Sequence, residues 1–166
     1  MGIVRPTFEE YPNRRRAEDL EIFVPKSDDF HYSADDVMNY FSEHKVESLL
    51  IINPDNPSGN YLPYNDVLRL AGWAASSGIR LIIDESFVDF ASEFPHNTLL
   101  GNDVLEKYPD LIVVKSISKS FGVPGLRLGV LASADTGLVS FIKKNVSIWN
   151  LNSFAEFFMQ IYTKHE

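Results

Sequence analysis

VVKSISKSFGVPGLRLG, residues 113–129, is the stretch of sequence that decides the fold. Its β-branched apolar start is typical of a buried strand, and a serine-rich turn that holds Lys119 follows at once. Eleven residues, 116–126, separate this strand from a second one predicted at 127–131. A parallel crossover needs roughly a dozen or more residues, usually with a helix. The two strands are therefore predicted to be antiparallel neighbours.

Lys119 lies beyond the carboxyl end of a predicted core strand, where open α/β sheets hold their ligands. A lysine amine near apolar walls and other cations can lose its proton and attack a carbonyl carbon. Ser116, Ser118 and Ser120 surround it, and Arg127 follows shortly after. Hydroxyl groups and a guanidinium suit a phosphate. A carbonyl-reactive amine beside a phosphate cradle predicts a phosphorylated aldehyde cofactor, pyridoxal 5'-phosphate.

Apolar runs and helical patterns alternate along the rest of the chain. Strands are also predicted at 20–24, 48–52, 79–83 and 111–114, and helices at 9–17, 33–44, 63–77, 103–108, 135–145 and 154–164, with an irregular loop at 92–102. Residues 5–8 are predicted to be extended, and no strand is assigned before residue 20. This order predicts one α/β domain over residues 1–166, a three-layer, doubly wound, mostly parallel sheet with one antiparallel strand.

Composition excludes several classes of function. The formal net charge of −8 argues against a nucleic-acid surface. The absence of cysteine excludes disulfide scaffolds, thiolate metal sites and cysteine nucleophiles. The four histidines form no close-spaced ligand pair, so no metal site is predicted. No signal peptide or membrane-spanning apolar run is evident, and a cytoplasmic location with no membrane partner is the default expectation.

Asn56, Asp84 and Lys119 each lie just beyond a predicted strand. If those strands are parallel, the three side chains emerge at one edge of the sheet. There Asp84 would hold a protonated ring nitrogen, Asn56 would donate to a ring oxygen and Lys119 would form the imine. Ser116, Ser118 and Arg127 would hold the phosphate.

Taken singly, these residues have plainer explanations. Asp84 and Asn56 would each serve as a cap or turn residue, Lys119 as a surface lysine and Arg127 as an ion-pair partner. Phe87, Phe90 and Phe94 are interpreted most simply as core aromatics. Together, four polar residue types in this order at strand ends favour a functional site.

Three segments resemble the signature segments of the fold-type I, class I/II aminotransferases. They are NPDNPSG (53–59), DESFVDF (84–90) and SISKSFGVPGLRLG (116–129), closest to the histidinol-phosphate aminotransferase and threonine-phosphate decarboxylase branch. PTFEEY (6–11) resembles the segment that supplies an aromatic ring stacking on the cofactor. The resemblance implies Lys119 as the Schiff-base lysine, Asp84 on the pyridine nitrogen, Asn56 on the ring hydroxyl, Ser116, Ser118 and Arg127 on the phosphate, and Phe8 as the stacking aromatic.

The function that this resemblance implies is transfer of an amino group from an amino acid to a keto acid. Lys119 would then also serve as general base and acid at the substrate α-carbon. One alternative is α-decarboxylation of a phosphorylated amino acid. An alternative of another class is a non-catalytic structural or interaction module, against which the joint presence of the site residues speaks. Family members are usually homodimers, so a homo-oligomer is expected.

Two departures from the family pattern stand out. Phe87 occupies the position where the family often has a tyrosine whose hydroxyl bonds the ring oxygen. The family's N-terminal segment and C-terminal small domain also have no counterpart, which implies that residues 1–166 are the central part of a large domain. We therefore expect weak or no cofactor binding and no transamination by this chain alone.

Overall fold

A six-stranded sheet organises the protein in a computed structural model that describes residues 1–92, 97–162 and 164. Its strands are β1 (Gly2–Val4), β2 (Glu21–Phe23), β3 (Ser48–Ile52), β4 (Arg80–Asp84), β5 (Ile112–Ser116) and β6 (Gly129–Ala132). They lie in the order β2-β1-β3-β4-β5-β6. All neighbours are parallel except β5 and β6, which are antiparallel. The predicted fold class is confirmed, including the antiparallel return.

Helices connect the strands. The α-helices are α1 (Glu10–Asn13), α2 (Ala34–Glu43), α3 (Tyr64–Ser76), α4 (Asn102–Lys107), α5 (Ile117–Ser120), α6 (Thr136–Asn145) and α7 (Ser153–Tyr162), with short 3₁₀ helices at Ala17–Asp19, Val88–Phe90 and Pro124–Leu126. The predicted cap at Ser33 is confirmed: its hydroxyl accepts from the amide of Asp36, whose side chain accepts from the amide of Ser33. Among the described residues, no helix is long and apolar enough to cross a membrane.

The larger part of the core lies between the sheet and helices α2 and α3. Phe41 of α2, Leu70 of α3 and Leu81 of β4 are fully or almost fully buried there. A smaller cluster around Ile3, with Leu50 and Ile52, occupies the other face of the sheet. The apolar face predicted for α7 stays largely open to solvent, and Phe154 there is 78% exposed.

Strand β1 was missed by the sequence analysis. It lies inside the sheet, between β2 and β3, and its Ile3 is fully buried. Three residues are too short a run to show a period of two, so no pattern marked them. Gly2 suits this place, because a Cβ there would approach the ring of Phe41 to 2.6 Å.

Several predicted boundaries were also wrong. The polar helix expected at 9–17 is reduced to α1 and the 3₁₀ helix Ala17–Asp19. Lys119 lies on the one-turn helix α5 instead of in an irregular turn, because β5 runs on to Ser116. Phe90, interpreted as a core aromatic, is 66% exposed. Phe94, part of the loop expected at 92–102, and Thr163, within the helix expected at 154–164, lie outside the described residues.

A buried carboxylate follows β4 directly. Glu85 is 2% exposed, and its two oxygens accept hydrogen bonds from the amide of Leu99 and the hydroxyl of Thr98, both at 2.7 Å. Burial raises the pKa of Glu85 above its ordinary value of 4.5, and the negative charge of Asp89 adds to this rise. The two hydrogen-bond donors and the positive charge of Lys115 oppose it. Glu85 thus ties the chain after residue 96 to the end of the central strand.

Replacing Glu85 with Gln should alter how stability depends on pH. The pKa of Glu85 is higher in the folded than in the unfolded chain, so the wild type loses stability as pH rises from the unfolded to the folded pKa. Glu85→Gln keeps an acceptor for the amide of Leu99 and turns an amide donor towards the Thr98 hydroxyl, which can accept in place of donating, but the variant lacks this titration. Urea unfolding across that pH window should therefore show the stability of the variant gaining on the wild type as pH rises. The matched control is Glu43→Gln, on an exposed position of α2. Parallel pH profiles for Glu85→Gln and the wild type would contradict this prediction.

Candidate active site

A cavity of about 410 Å³ opens where the carboxyl ends of β3, β4 and β5 meet the start of β6. Its lining includes every residue that the sequence analysis selected: Phe8, Asn56, Asp84, Ser116, Ser118, Lys119 and Arg127. The convergence follows from topology, because parallel strands deliver the residues after their carboxyl ends to the same edge. The structure thus brings these side chains together, while their individual roles stay predictions.

Asp84 ends the central strand β4 and is only 7% exposed. One carboxylate oxygen accepts a hydrogen bond from the amide of Ser86 at 2.8 Å. The other accepts from the hydroxyl of Tyr11 at 2.5 Å. Two donors at fixed positions orient the carboxylate and offset part of the cost of its burial. Asp84 can therefore present a negative charge to a cation in the cavity.

Tyr11 was missed as a site residue. It lies in α1, and its ring meets that of Phe8 edge to face, with centroids 6.1 Å apart. Burial and the neighbouring Asp84 raise the pKa of Tyr11 far above its ordinary value. The hydroxyl therefore stays protonated and donates a hydrogen bond to Asp84. Residues 6–11 resemble a family segment that supplies an aromatic ring. Nothing in the sequence shows that Tyr11, the last residue of this segment, reaches Asp84.

Lys119 extends from α5 beside the ring of Phe87. Its Nζ lies 5.5 Å from the ring centroid, within the range of a cation–π contact. Lys115 and Arg127 line the same cavity, so the expected neighbouring cations are present. Phe87 follows β4 and is half-buried, which makes it a wall of the cavity instead of a core residue. The amine of Lys119 is thus exposed and lies against an apolar surface.

Ser118 offers a test of whether the cavity suits a phosphate. The residue is 4% exposed, and its buried hydroxyl has no hydrogen-bond partner among the described residues. A buried hydroxyl without a partner is unfavourable by about 1–3 kcal/mol. Arg127, in a left-handed conformation at φ 55°, makes only a long 3.4 Å bond to the carbonyl of Pro124 and no ion pair with described residues. An unsatisfied hydroxyl and an open guanidinium fit a phosphate.

Asn56 belongs to a loop that buried polar groups fix in place. The amide of Asn53 donates to the carbonyl of Asp84 at 2.9 Å, and its side chain makes two hydrogen bonds with the backbone of Leu62. Asp55 accepts from both the amide and the hydroxyl of Ser58. Burial raises the pKa of Asp55, and these bonds oppose the rise. The loop holds Asn56, half-buried, at the cavity wall.

Comparison with known proteins shows what the chain as a whole is similar to. A family model for class I and II aminotransferases matches residues 3–160. CMP-5'-(3-aminopropyl)phosphonate synthase of Streptomyces rubellomurinus is 35% identical over 94% of the chain, and L-serine phosphate decarboxylase of Sulfurospirillum multivorans is 31% identical over all of it. The histidinol-phosphate aminotransferase of Clostridium acetobutylicum shares the fold, with a TM-score of 0.78 and 24% identity over 95% of the chain.

The chain spans less than half the length of these proteins. It covers 24% of the phosphonate synthase, 43% of the decarboxylase and 46% of the aminotransferase. Pyridoxal phosphate is the cofactor of the class I and II aminotransferases. The donor set around Ser118 and Arg127 is consistent with that cofactor.

The bond from Tyr11 to Asp84 should be measurable as a coupling free energy. Tyr11→Phe, Asp84→Ala and the double variant form a double-mutant cycle, which we expect to give about 1.5–3 kcal/mol, as is usual for hydrogen bonds to charged groups. Urea unfolding provides the four stabilities.

The control cycle pairs Asp84→Ala with Tyr40→Phe. The single proton of the Tyr40 hydroxyl has two acceptors within reach, Glu21 at 2.7 Å and the carbonyl of Ile22 at 2.9 Å, and neither is Asp84. Its cycle should be additive. Additivity in the Tyr11 cycle as well would mean that the bond contributes nothing to stability.

Proposed function

The chain belongs to the class I and II aminotransferase family, and we propose that it is the central part of the large domain of a pyridoxal-phosphate enzyme that transfers an amino group from an amino acid to a keto acid. One observation carries this proposal: Lys119, Asp84, Asn56 and a phosphate-type donor set line a single cavity. A structural module would have no need to gather an exposed amine, a buried carboxylate and an unsatisfied hydroxyl in one place.

The proposed roles follow from the position of each side chain. Asp84, held by Tyr11 and Ser86, binds the protonated ring nitrogen, and Asn56 donates to the ring oxygen. Ser118 and Arg127, with Ser116, bind the phosphate, and Phe8 lies against the ring.

Proton transfer at the substrate is the part assigned to Lys119. When bound, pyridoxal phosphate supplies an electron sink for negative charge at the substrate α-carbon. The amine of Lys119, exposed and adjacent to Phe87, would hold the cofactor through its aldehyde. The same amine would move the proton at the substrate α-carbon. Replacement of Lys119 should therefore abolish turnover instead of only weakening binding.

A second candidate is α-decarboxylation of a phosphorylated amino acid. The 31% identity to an L-serine phosphate decarboxylase over the whole chain favours it. Phe87 also lacks the hydroxyl that the family often has at this position, which removes one donor from the ring oxygen. Product analysis of the whole protein with a phosphorylated amino acid separates the two reactions. Amino transfer gives a keto acid, and decarboxylation gives carbon dioxide and an amine.

The proposal has consequences for partners as well. The substrates would be small molecules, an amino acid and a keto acid, and family membership supports a homo-oligomer. Exposed apolar residues on the segment after β6, including Trp149 at 90% exposure, are consistent with association.

Trapping with borohydride should label Lys119. Incubation of the whole protein with millimolar pyridoxal phosphate followed by reduction makes the lysine–aldehyde bond permanent, and peptide mapping then identifies the lysine. Lys107 is the matched internal control, because it is also exposed and lies over an aromatic ring, with its Nζ 5.1 Å from the ring centroid of Tyr108, but outside the cavity. We expect label on Lys119 in large excess over Lys107. Equal labelling of the two lysines would contradict a cofactor site and favour a non-catalytic module.

Ser118→Ala should separate phosphate binding from stability. Because the hydroxyl is buried without a described partner, its removal should leave the free protein equally stable or more stable by up to about 1 kcal/mol. The variant should trap pyridoxal phosphate less well, yet trap pyridoxal, which has no phosphate, as the wild type does.

Ser133→Ala is the control for this substitution. The hydroxyl of Ser133 donates to the carbonyl of Leu111 at 2.9 Å, so its loss should lower stability by about 1 kcal/mol without changing the preference for pyridoxal phosphate. If Ser118→Ala lowered trapping of both aldehydes equally, Ser118 would not be a phosphate ligand.

A further inference from the structure

Two lysines line the cavity, and they differ in what surrounds their amines. Lys115 lies near the end of β5 and Lys119 in α5. The Nζ of Lys115 is 2.5 Å from an oxygen of Asp89, and the side chains of both residues are 13% exposed. Lys119 makes no ion pair with described residues. The two amines are therefore not equivalent, although either could reach an aldehyde in this cavity.

Asp89 makes a second bond that bears on Lys119. Its other oxygen accepts from the hydroxyl of Ser120, the residue that follows Lys119 in the sequence. Asp89 lies on the 3₁₀ helix Val88–Phe90, which comes directly after Phe87. One carboxylate thus joins the segment that carries Phe87 to residues on both sides of Lys119.

We propose that Asp89 is a positioning residue that makes Lys119, and not Lys115, the reactive amine of the cavity. An ammonium group held in a part-buried ion pair has no free lone pair with which to attack a carbonyl, so Lys115 is excluded while the pair is intact. The bond to Ser120 holds α5 so that the amine of Lys119 faces Phe87. This inference rests on the proposed function, because it concerns the same covalent link to pyridoxal phosphate.

The same contacts argue against a role in stability alone. An ion pair withdrawn from water is often no more stabilising than apolar residues of similar volume, so stability alone is a weak explanation for this one. Here a second bond links the same two segments, since the amide of Ser116 donates to the hydroxyl of Ser86 at 3.0 Å. Without Asp89 this bond would still join the two segments, but the difference between the two lysine amines would be lost.

The test is the identity of the lysine that borohydride traps in the whole protein after incubation with pyridoxal phosphate. In the unsubstituted protein we expect label on Lys119 and none on Lys115. In Asp89→Asn the ion pair is lost, so Lys115 should gain label, and the rate of labelling at Lys119 should fall by about tenfold or more, because misplacement by about 1 Å can cost on the order of a hundredfold in rate. A purely structural role would lower stability without moving the label from one lysine to the other.

Two further variants keep the proposal testable if Asp89→Asn does not fold. Lys115→Arg keeps a cation for Asp89 and removes the competing amine, so Lys119 should still be trapped. Ser120→Ala leaves the ion pair intact and removes only the second bond, so labelling of Lys119 should slow while Lys115 stays unlabelled. Circular dichroism on each variant confirms that it is folded before its labelling is compared.

The outcomes separate the two proposals. Label on Lys119 in the unsubstituted protein, with the same site and rate in folded Asp89→Asn or in Ser120→Ala, would overturn the role of Asp89 alone. Loss of Lys119 labelling in folded Lys115→Arg would also overturn it. No excess label on Lys119 in the unsubstituted protein would overturn the proposed function, and the role of Asp89 with it.

Discussion

Two main-chain hydrogen bonds at the end of the central strand hold the site together. The carbonyl of Asp84 accepts from the amide of Asn53 at 2.9 Å, and the amide of Glu85 donates to the carbonyl of Val114 at 2.8 Å. These bonds extend the sheet past the end of β4 on both sides. The Asn56 loop on one side and the end of β5 on the other are therefore fixed relative to Asp84. Because main-chain bonds define this arrangement, the side chains around the cavity are free to serve chemistry.

The edge beyond the strands is polar although much of it is buried. Asp84, Glu85 and Asn53 are each at most 7% exposed, and each has hydrogen-bond partners close by. Satisfying these groups locally limits the cost of burying them. Ser118 departs from this pattern, because its hydroxyl has no partner among the described residues. In the proposed function, the phosphate of the cofactor would supply the partner that this hydroxyl lacks.

The sequence was sufficient to predict five of the six strands and seven of the residues that line the cavity, because most of these follow from apolar runs that end in polar turns. Strand β1 could not be predicted, since three residues carry no period. The contacts of Tyr11 with Asp84 and of Lys115 with Asp89 could not be predicted from the sequence either. They join residues 73 and 26 positions apart, and their geometry depends on how the strands are ordered in the sheet. A local pattern indicates where a polar side chain emerges, but not which other side chain meets it there.

The charges of the site explain how an acidic protein with a net charge of −8 would hold an anionic cofactor. Lys115, Lys119 and Arg127 line the cavity, but Asp89 neutralises the first of them, and the second forms the covalent link in the proposed function. Arg127 is then the one cavity cation left for the phosphate among the described residues, and it is exposed. Since screening weakens an exposed charge, recognition of the phosphate in the proposed function would depend as much on the buried hydroxyl of Ser118 as on the guanidinium.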